Sequence, residues 1–167
     1  MPTFLLRIRA EMEGVASFSV PASTQWDLDV KQPAGDETRR GVVVDPDDEQ
    51  EVPNSKNGTA HFMIKWPGEK QHAYLKIVSL GGPKGPVRDC QSSDDTGMVA
   101  IAAFECRGLE PVRWTPTGPH HATATSGTVY DDVAFRGGDD WCEYDEKSGD
   151  SLVVGKDIAH EFVLHRG

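Results

Sequence analysis

Frequent chain-breaking residues are the feature that most constrains how this chain can fold. The sequence has 17 glycines and 11 prolines among 167 residues, and they divide it into apolar runs of strand length. No segment shows the 3.6-residue apolar period of a long amphipathic helix. The pattern predicts an all-β fold with little helix, with strands at residues 4–12, 26–30, 41–44, 60–66, 73–78, 98–106, 127–135, 151–154 and 158–164.

A glycine- and proline-rich stretch divides the chain near its middle. Leu80–Pro86 reads LGGPKGP, which suits neither a helix nor a central strand. We therefore predict a first β unit at residues 1–80, a linker or crossing loop at 81–97, and a second β unit at 98–167. We expect the two units to pack as one compact, intertwined globule.

The two units resemble each other weakly. Residues 5–21 align with residues 99–115 at an offset of 94, which places Gly14 on Gly108. This similarity predicts an internal duplication, with two similar antiparallel β-sandwich-like halves packed together. The alternative is two unrelated strand–turn units, because few of the aligned positions are identical.

The charge is acidic and uneven. The net charge is −10 and the isoelectric point is about 4.9, which argues against a nucleic-acid or anionic-membrane binder. Residues 1–89 hold 11 basic and 13 acidic side chains, and residues 90–167 hold 6 basic and 14 acidic ones. The second half, at −8, therefore favours a basic protein partner.

Cysteine use and the N-terminal residues point to the cytoplasm. Cys90, Cys106 and Cys142 are odd in number and widely spaced, which is typical of free thiols in a reducing compartment. Residues 1–9 do not form a signal peptide, because their apolar run is short and interrupted by arginines. No stretch reaches the roughly 18 apolar residues of a membrane span.

Two acidic clusters differ in kind. Asp45–Glu51 contains no apolar residue beyond its proline, so we predict a solvated loop. The second cluster mixes carboxylates with Trp141 and Tyr144, a combination that can anchor a protein; the alternative is that both aromatics belong to the core. We predict a partner-binding surface formed by Asp139, Asp140, Trp141, Glu143, Tyr144, Asp145 and Glu146.

No pattern indicates catalysis or a resident metal. Cys106 is the best thiol candidate because Arg107 lies beside it, yet strand alternation directs a side chain here inward. The six histidines show no zinc-ligand spacing. We therefore expect no catalytic residue, no metal site and no cofactor, and we expect that the protein is not an enzyme.

The second half carries a recognisable series of motifs. Residues 104–112 read FECRGLEPV, and Ser126–Thr128, Trp141, Tyr144–Lys147 and His160–Val163 follow in order. The series resembles the eukaryotic CXXC-motif-containing zinc-binding protein family. The resemblance spans the whole chain and is stronger in the second half. It implies an all-β fold with two similar sandwich-like halves.

The sequence departs from this family at the residues that give it its name. The resemblance implies two Cys-x-x-Cys pairs in the first half, which together hold one zinc ion. Gln32 and Gly35 stand where the first pair is expected, and Trp66 and Glu69 where the second is. The zinc therefore cannot be carried over to this degenerate site. We expect packing and turn chemistry to hold the two loops, with Trp66 filling the former metal volume.

Three functional hypotheses follow. The first is a non-catalytic protein-binding factor, a co-chaperone or assembly factor for a basic client; the resemblance and the charge suggest translation elongation factor one-alpha, handled together with a zinc-finger chaperone. The second is a metal-handling protein that uses histidine and the remaining cysteine ligands. The third, a minor option, is a small hydrolase or thiol enzyme.

Overall fold

Short antiparallel strands make up nearly all of the regular structure. The computed structural model describes residues 2–56, 58–82, 85–92 and 97–166. These form seventeen strands and one 3-10 helix at Arg136–Gly138, which confirms the prediction of an all-β fold with little helix. No described helix is long and apolar enough to cross a membrane. The strands are β1 (Thr3–Arg9), β2 (Met12–Glu13), β3 (Val15–Ser19), β4 (Trp26–Lys31), β5 (Thr38–Val44), β6 (Gln50–Glu51), β7 (Thr59–Ala60), β8 (Phe62–Ile64), β9 (Ala73–Val78), β10 (Cys90–Gln91), β11 (Val99–Arg107), β12 (Glu110–Thr115), β13 (His120–Ala124), β14 (Val129–Val133), β15 (Trp141–Asp145), β16 (Asp150–Val154) and β17 (Ala159–Leu164).

The largest sheet joins both halves of the chain. Its strand order is β17-β1-β11-β9-β8, so β1 of the first half lies between β17 and β11 of the second, and β9 and β8 of the first half follow. The central pair is antiparallel and places Phe4 opposite Phe104 and Leu6 opposite Ala102. These apolar residues fit a sheet that packs on a shared core.

Two smaller sheets exchange strands between the halves in a reciprocal way. At the offset of 94, β3 corresponds to β12 and β4 corresponds to β13. The structure pairs β3 with β13 and β12 with β4, so each half contributes one equivalent strand to the other. The aligned glycines Gly14 and Gly108 both have positive φ angles, of 68° and 74°, a conformation that favours glycine. The predicted internal repeat is therefore visible in the strand pairing.

The described part of the segment at 81–97 lies against the sheets. Val87 N–H donates to the Leu80 carbonyl at 3.2 Å, and β10 within this segment pairs with β3. Cys90 of β10 is buried. The rest of the predicted linker or crossing loop, at residues 83, 84 and 93–96, lies outside the described residues.

One large core cluster unites the sheets. It takes Leu6 and Phe104 from the central sheet, Leu28 and Trp114 from the sheet of β12, β4 and β5, and Phe18 from the four-stranded sheet. Phe18, Phe104, Leu6 and Leu28 are fully buried. Because this core draws on both halves, neither half has a separate apolar interior of comparable size.

Candidate functional site

The four positions where the resemblance implies the family's cysteines meet in space. Gln32 and Gly35 belong to the β4–β5 loop, and Trp66 and Glu69 belong to the β8–β9 turn. All four line one open cleft of about 590 Å³. The two loops thus lie side by side, as a shared metal site would require, although the ligands have been replaced.

An indole and several turn hydrogen bonds hold these two loops. Trp66 is buried, and its Nε1 donates to the carbonyl oxygen of Gly108 at 2.7 Å. Glu69 N–H donates to the Trp66 carbonyl at 3.0 Å, and Gln32 N–H donates to the Glu37 carbonyl at 3.0 Å. The Trp66 contact links the β8–β9 turn to the β11–β12 turn of the second half, so a side chain connects segments distant in sequence.

Gln32 occupies the space beside Gly35. A Cβ atom added to Gly35 would collide with the Gln32 side-chain amide. A side chain at position 35 would therefore require Gln32 to move. This movement costs little, because the colliding atoms belong to the flexible end of the Gln32 side chain.

The residues of this cleft do not suit a zinc ion. Its lining includes Glu69 and His72 but no cysteine, whereas the resemblance implies a site of four thiolates. Within the described ranges, no group of three or more His, Cys, Asp or Glu side chains could hold a metal ion. Two metal-ligating side chains on an open surface fall short of the four-ligand shell that structural zinc requires.

The predicted partner surface divides into an exposed part and a buried part. Tyr144 is 57% exposed, and Asp139, Asp140, Glu143 and Glu146 are exposed as well. By contrast, Trp141 is 8% exposed and Asp145 is 1% exposed. Trp141 thus lies in the core, as the alternative for this aromatic residue expected, and the partner-binding role of the surface stays a prediction.

Asp145 organises the interior side of this region. Its carboxylate accepts hydrogen bonds from Ser126 Oγ at 2.6 Å, Ser148 Oγ at 2.7 Å and the Tyr130 hydroxyl at 3.0 Å. The hydrogen bonds from Ser126 and Ser148 lower the pKa of Asp145 to about 2, because they stabilise the ionised form. The carboxylate thus ties the β13–β14 turn to the β15–β16 hairpin.

Sequence reasoning missed the acidic strand beside this surface. On β14, Asp131 and Asp132 are exposed and Val129 is 61% exposed. The Tyr130 ring packs 5.6 Å from the Trp141 ring, which brings β14 next to β15. The acidity of Asp131 and Asp132 was visible in the sequence, but their proximity to β15 arises from contact between two different sheets.

The two strands are also open on one side. β14 and β15 each lie at the edge of their sheet among the described strands. Cys142, Glu143 and Tyr144 are exposed in succession on β15, so this strand contacts the core mainly at its ends. We define the acidic edge surface as Val129, Asp131, Asp132, Asp139, Asp140, Glu143, Tyr144 and Glu146.

Cys106 lies in the core. It is 1% exposed, which confirms that it points inward on its strand. Burial raises the pKa of the Cys106 thiol, and the nearby Glu105 and Glu110 carboxylates raise it further. Such a thiol stays protonated at neutral pH and is a poor nucleophile.

Comparisons with known proteins agree with this description. The family model described as CXXC motif containing zinc binding protein, eukaryotic, matches residues 5–163. The CXXC motif containing zinc binding protein of Bos taurus is 36% identical over 78 residues, covering 46% of this chain and 48% of the bovine protein. The chain thus spans about half the length of the curated relatives that it matches most strongly.

Two solved structures share the fold. A hypothetical protein from Plasmodium falciparum has a TM-score of 0.84 and 26% identity, covering 98% of this chain and 100% of that one. The crystal structure of C1orf123 has a TM-score of 0.83 and 25% identity, covering 98% and 99%. Because the family model matches nearly the whole chain, the protein belongs to the eukaryotic CXXC motif containing zinc binding protein family.

Proposed function

We propose that the protein is a non-catalytic, cytoplasmic protein-binding factor that acts as a co-chaperone or assembly factor for a basic client. The single observation that best supports this role is the acidic edge surface. It combines two exposed apolar side chains, Val129 and Tyr144, with six exposed carboxylates on and beside two strand edges. Elongation factor one-alpha, handled with a zinc-finger chaperone, is the client that we propose.

The electrostatics of the surface favour such a client. Burial raises the pKa of Tyr130, and Asp145, Glu143 and Glu146 raise it further, so the field of the carboxylates on and after β15 reaches β14. A negative surface of this kind speeds association with a basic partner. Exposed Tyr144 adds an aromatic anchor, a residue type that often contributes most of the binding energy at an interface.

The other two hypotheses receive less support. Cys106, the thiol considered as a nucleophile, is buried with a raised pKa. In the part of the chain that the structure describes, no set of three metal-ligating side chains is assembled. Neither observation favours a thiol enzyme or a metal-handling protein over the binding role.

The test combines three charge reversals with a purified client. Asp139→Lys, Glu143→Lys and Glu146→Lys should slow association with elongation factor one-alpha by about tenfold and flatten its salt dependence, because the carboxylates steer the encounter. The measurement is biolayer interferometry at several salt concentrations. Thermal melting should show little change, since exposed charges contribute under about 0.5 kcal/mol each.

A matched variant controls for total charge. Asp36→Lys, Glu37→Lys and Glu69→Lys make the same change in net charge at exposed positions around the former zinc loops, and association should be much less affected. The proposal fails if the wild-type protein does not bind the client. It also fails if the first variant binds normally while charge reversal within Asp45–Glu51 abolishes binding, because the partner surface would then lie in the first half.

A further inference from the structure

An apolar groove of about 450 Å³ lies along the end of β9, in the first half of the chain. Ile77, Ile101 and Val20 line it and are only half-buried, so each packs on the core and still presents apolar surface. Pro21, Trp26 and Val87 complete its main apolar lining. Most of the lining is apolar, as in many sites for apolar side chains, and its polar side chains are those of His61, Ser79, Arg88 and Asp89.

One side of β9 is open next to this groove. β8 pairs with β9 only from Ala73 to Leu75, and no other described strand pairs with that side of β9. His61 pairs with the next backbone groups of β9. Its backbone N–H donates to the Leu75 carbonyl at 3.0 Å, and its ring Nδ1 accepts from Ile77 N–H at 2.9 Å. Because backbone direction alternates along a strand, the Ile77 carbonyl faces the same open side, and Ser79 N–H would face it too when an added strand extends β9 by one residue.

A folded acidic turn borders the groove. Pro46 belongs to the groove lining, and the turn is closed by hydrogen bonds from Asp47 N–H to Asp45 Oδ1 at 2.9 Å and from Asp48 N–H to the Asp45 carbonyl at 3.1 Å. The Thr59 hydroxyl donates to Glu49 Oε1 at 2.6 Å and lowers the pKa of that carboxyl. Thr59 lies two residues before His61 of the groove lining, so this carboxylate belongs to the same end of the groove.

We propose that this groove binds an extended peptide segment that carries apolar side chains followed by lysine or arginine. The segment adds to β9 as a strand at Ile77–Ser79 and uses the open backbone groups as hydrogen-bond partners. Its apolar side chains enter the groove beside Ile77 and Ile101, and its basic residues face the turn at Asp45–Glu49. That turn carries four carboxylates, and Arg88 lies beside Asp89 in the groove lining. The site is independent of the acidic edge surface.

The probe is a short fluorescein-labelled peptide in which valine alternates with threonine and the C-terminal residues are lysines. A second peptide carries glutamates in place of the lysines. Fluorescence anisotropy should show binding of the lysine peptide and about tenfold weaker binding of the glutamate peptide. Amide chemical-shift changes in NMR spectra should be largest at Ile77, Val78 and Ser79.

Substitutions at the strand edge distinguish backbone hydrogen bonding to the peptide from non-specific apolar binding. Ser79→Pro removes an outward N–H and leaves the β9–β11 pairs at Ile77 and Val78 intact, so affinity for the lysine peptide should fall about tenfold. Ser79→Ala keeps the N–H and should bind normally. Asp47→Lys with Asp48→Lys should reverse the preference between the two peptides.

Several results would overturn the proposal. They are equal affinities of the Ser79→Pro and Ser79→Ala variants, shift changes on β14 and β15 instead of β9, or no binding of the lysine peptide. Sedimentation of the protein alone tests self-association. A dimer that Ser79→Pro dissociates would assign the groove to a second copy of the chain and would contradict the peptide proposal. The test uses neither the proposed client nor the residues of the acidic edge surface, so the two proposals can fail separately.

Discussion

Equivalent loops in the two halves are held by different chemistry. At the offset of 94, Gln32 of the β4–β5 loop corresponds to Ser126 of the β13–β14 turn. Ser126 donates to the buried carboxylate of Asp145, whereas the loop at Gln32 borders an open cleft beside Trp66. Each half thus places this loop next to a later hairpin turn, but one half uses a charged hydrogen-bond centre and the other an indole. The comparison shows that both halves place this loop beside a later hairpin turn, whereas the side chains that stabilise the two regions differ.

Removal of the Trp66 indole should have the largest effect on the free energy of unfolding. Trp66→Ala deletes a buried side chain and its hydrogen bond to Gly108, and should lower the free energy of unfolding by roughly 3–5 kcal/mol. Trp66→Phe keeps most of the volume and should cost about 1 kcal/mol, the typical value of one hydrogen bond. Urea denaturation measures both. Equal losses would show that the hydrogen bond, and not the volume, holds the loops.

A second difference concerns His120, which corresponds to Trp26 at the same offset. His120 is 1% exposed, and neither ring nitrogen has a hydrogen-bond partner among the described residues. Burial lowers its pKa from 6.5 to about 4, so between these values the unfolded chain binds the proton and the folded protein does not. The free energy of unfolding should therefore fall by roughly 3 kcal/mol as the pH drops from about 6.5 to 4.

The variant His120→Phe tests this slope. It keeps a ring among Phe18, Trp114 and Phe135 and removes the titrating group, so stability should depend much less on pH in this window. A smaller dependence should remain from His160, whose pKa burial also lowers. Urea denaturation at several pH values provides the measurement, and an unchanged slope in the variant would contradict the assignment to His120.

The stabilisation by the ionised Asp145 carboxylate should be lost in a lower pH window than that of His120. Because the pKa of Asp145 in the folded protein lies near 2, below its ordinary value of 3.8, its stabilising contribution is present above about pH 4 and is lost as the pH falls towards 2. Asp145→Asn should lower the melting temperature at pH 7 and abolish this acid-dependent loss. The expected change is smaller than that of Trp66→Ala, because the amide oxygen can still accept one hydroxyl.

Treatment with a chelator should have the smallest effect on stability. Protein purified without a histidine tag should contain no stoichiometric zinc, because Gln32, Gly35, Trp66 and Glu69 supply no thiolate. Treatment with a chelator should leave the melting temperature unchanged. Elemental analysis measures the zinc content of the purified protein, and one tightly bound zinc ion per chain would restore the metal-handling hypothesis.

Much of the fold could be predicted from local pattern, and the failures have clear causes. The strict alternation of WDLDV predicted β4, whose buried and half-buried residues alternate. β12 was missed because it contains Pro111 and charged residues, and β13 because its side chains are mostly small or polar. Both strands are defined by long-range partners on β4 and β3, which no local window contains.

The candidate sites show the same limit. The resemblance to the family correctly brought Gln32, Gly35, Trp66 and Glu69 to one cleft. The acidic surface was only partly predicted, since charge and aromatic content do not reveal which way Trp141 and Asp145 point. The three hydroxyls around Asp145 come from separate turns and strands, so its role depends on tertiary contacts.

The mixing of strands from both halves in the largest sheet has a consequence for how the chain reaches its folded state. β1 pairs with both β11 and β17, so the first strand finds its neighbours only after most of the chain has been synthesised. Topologies dominated by such distant pairings fold slowly, in milliseconds to seconds. During translation, β1 would wait with unpaired edges until Val99–Arg107 and then Ala159–Leu164 had left the ribosome. A truncation before β17 should therefore leave an aggregation-prone chain and not a smaller folded domain.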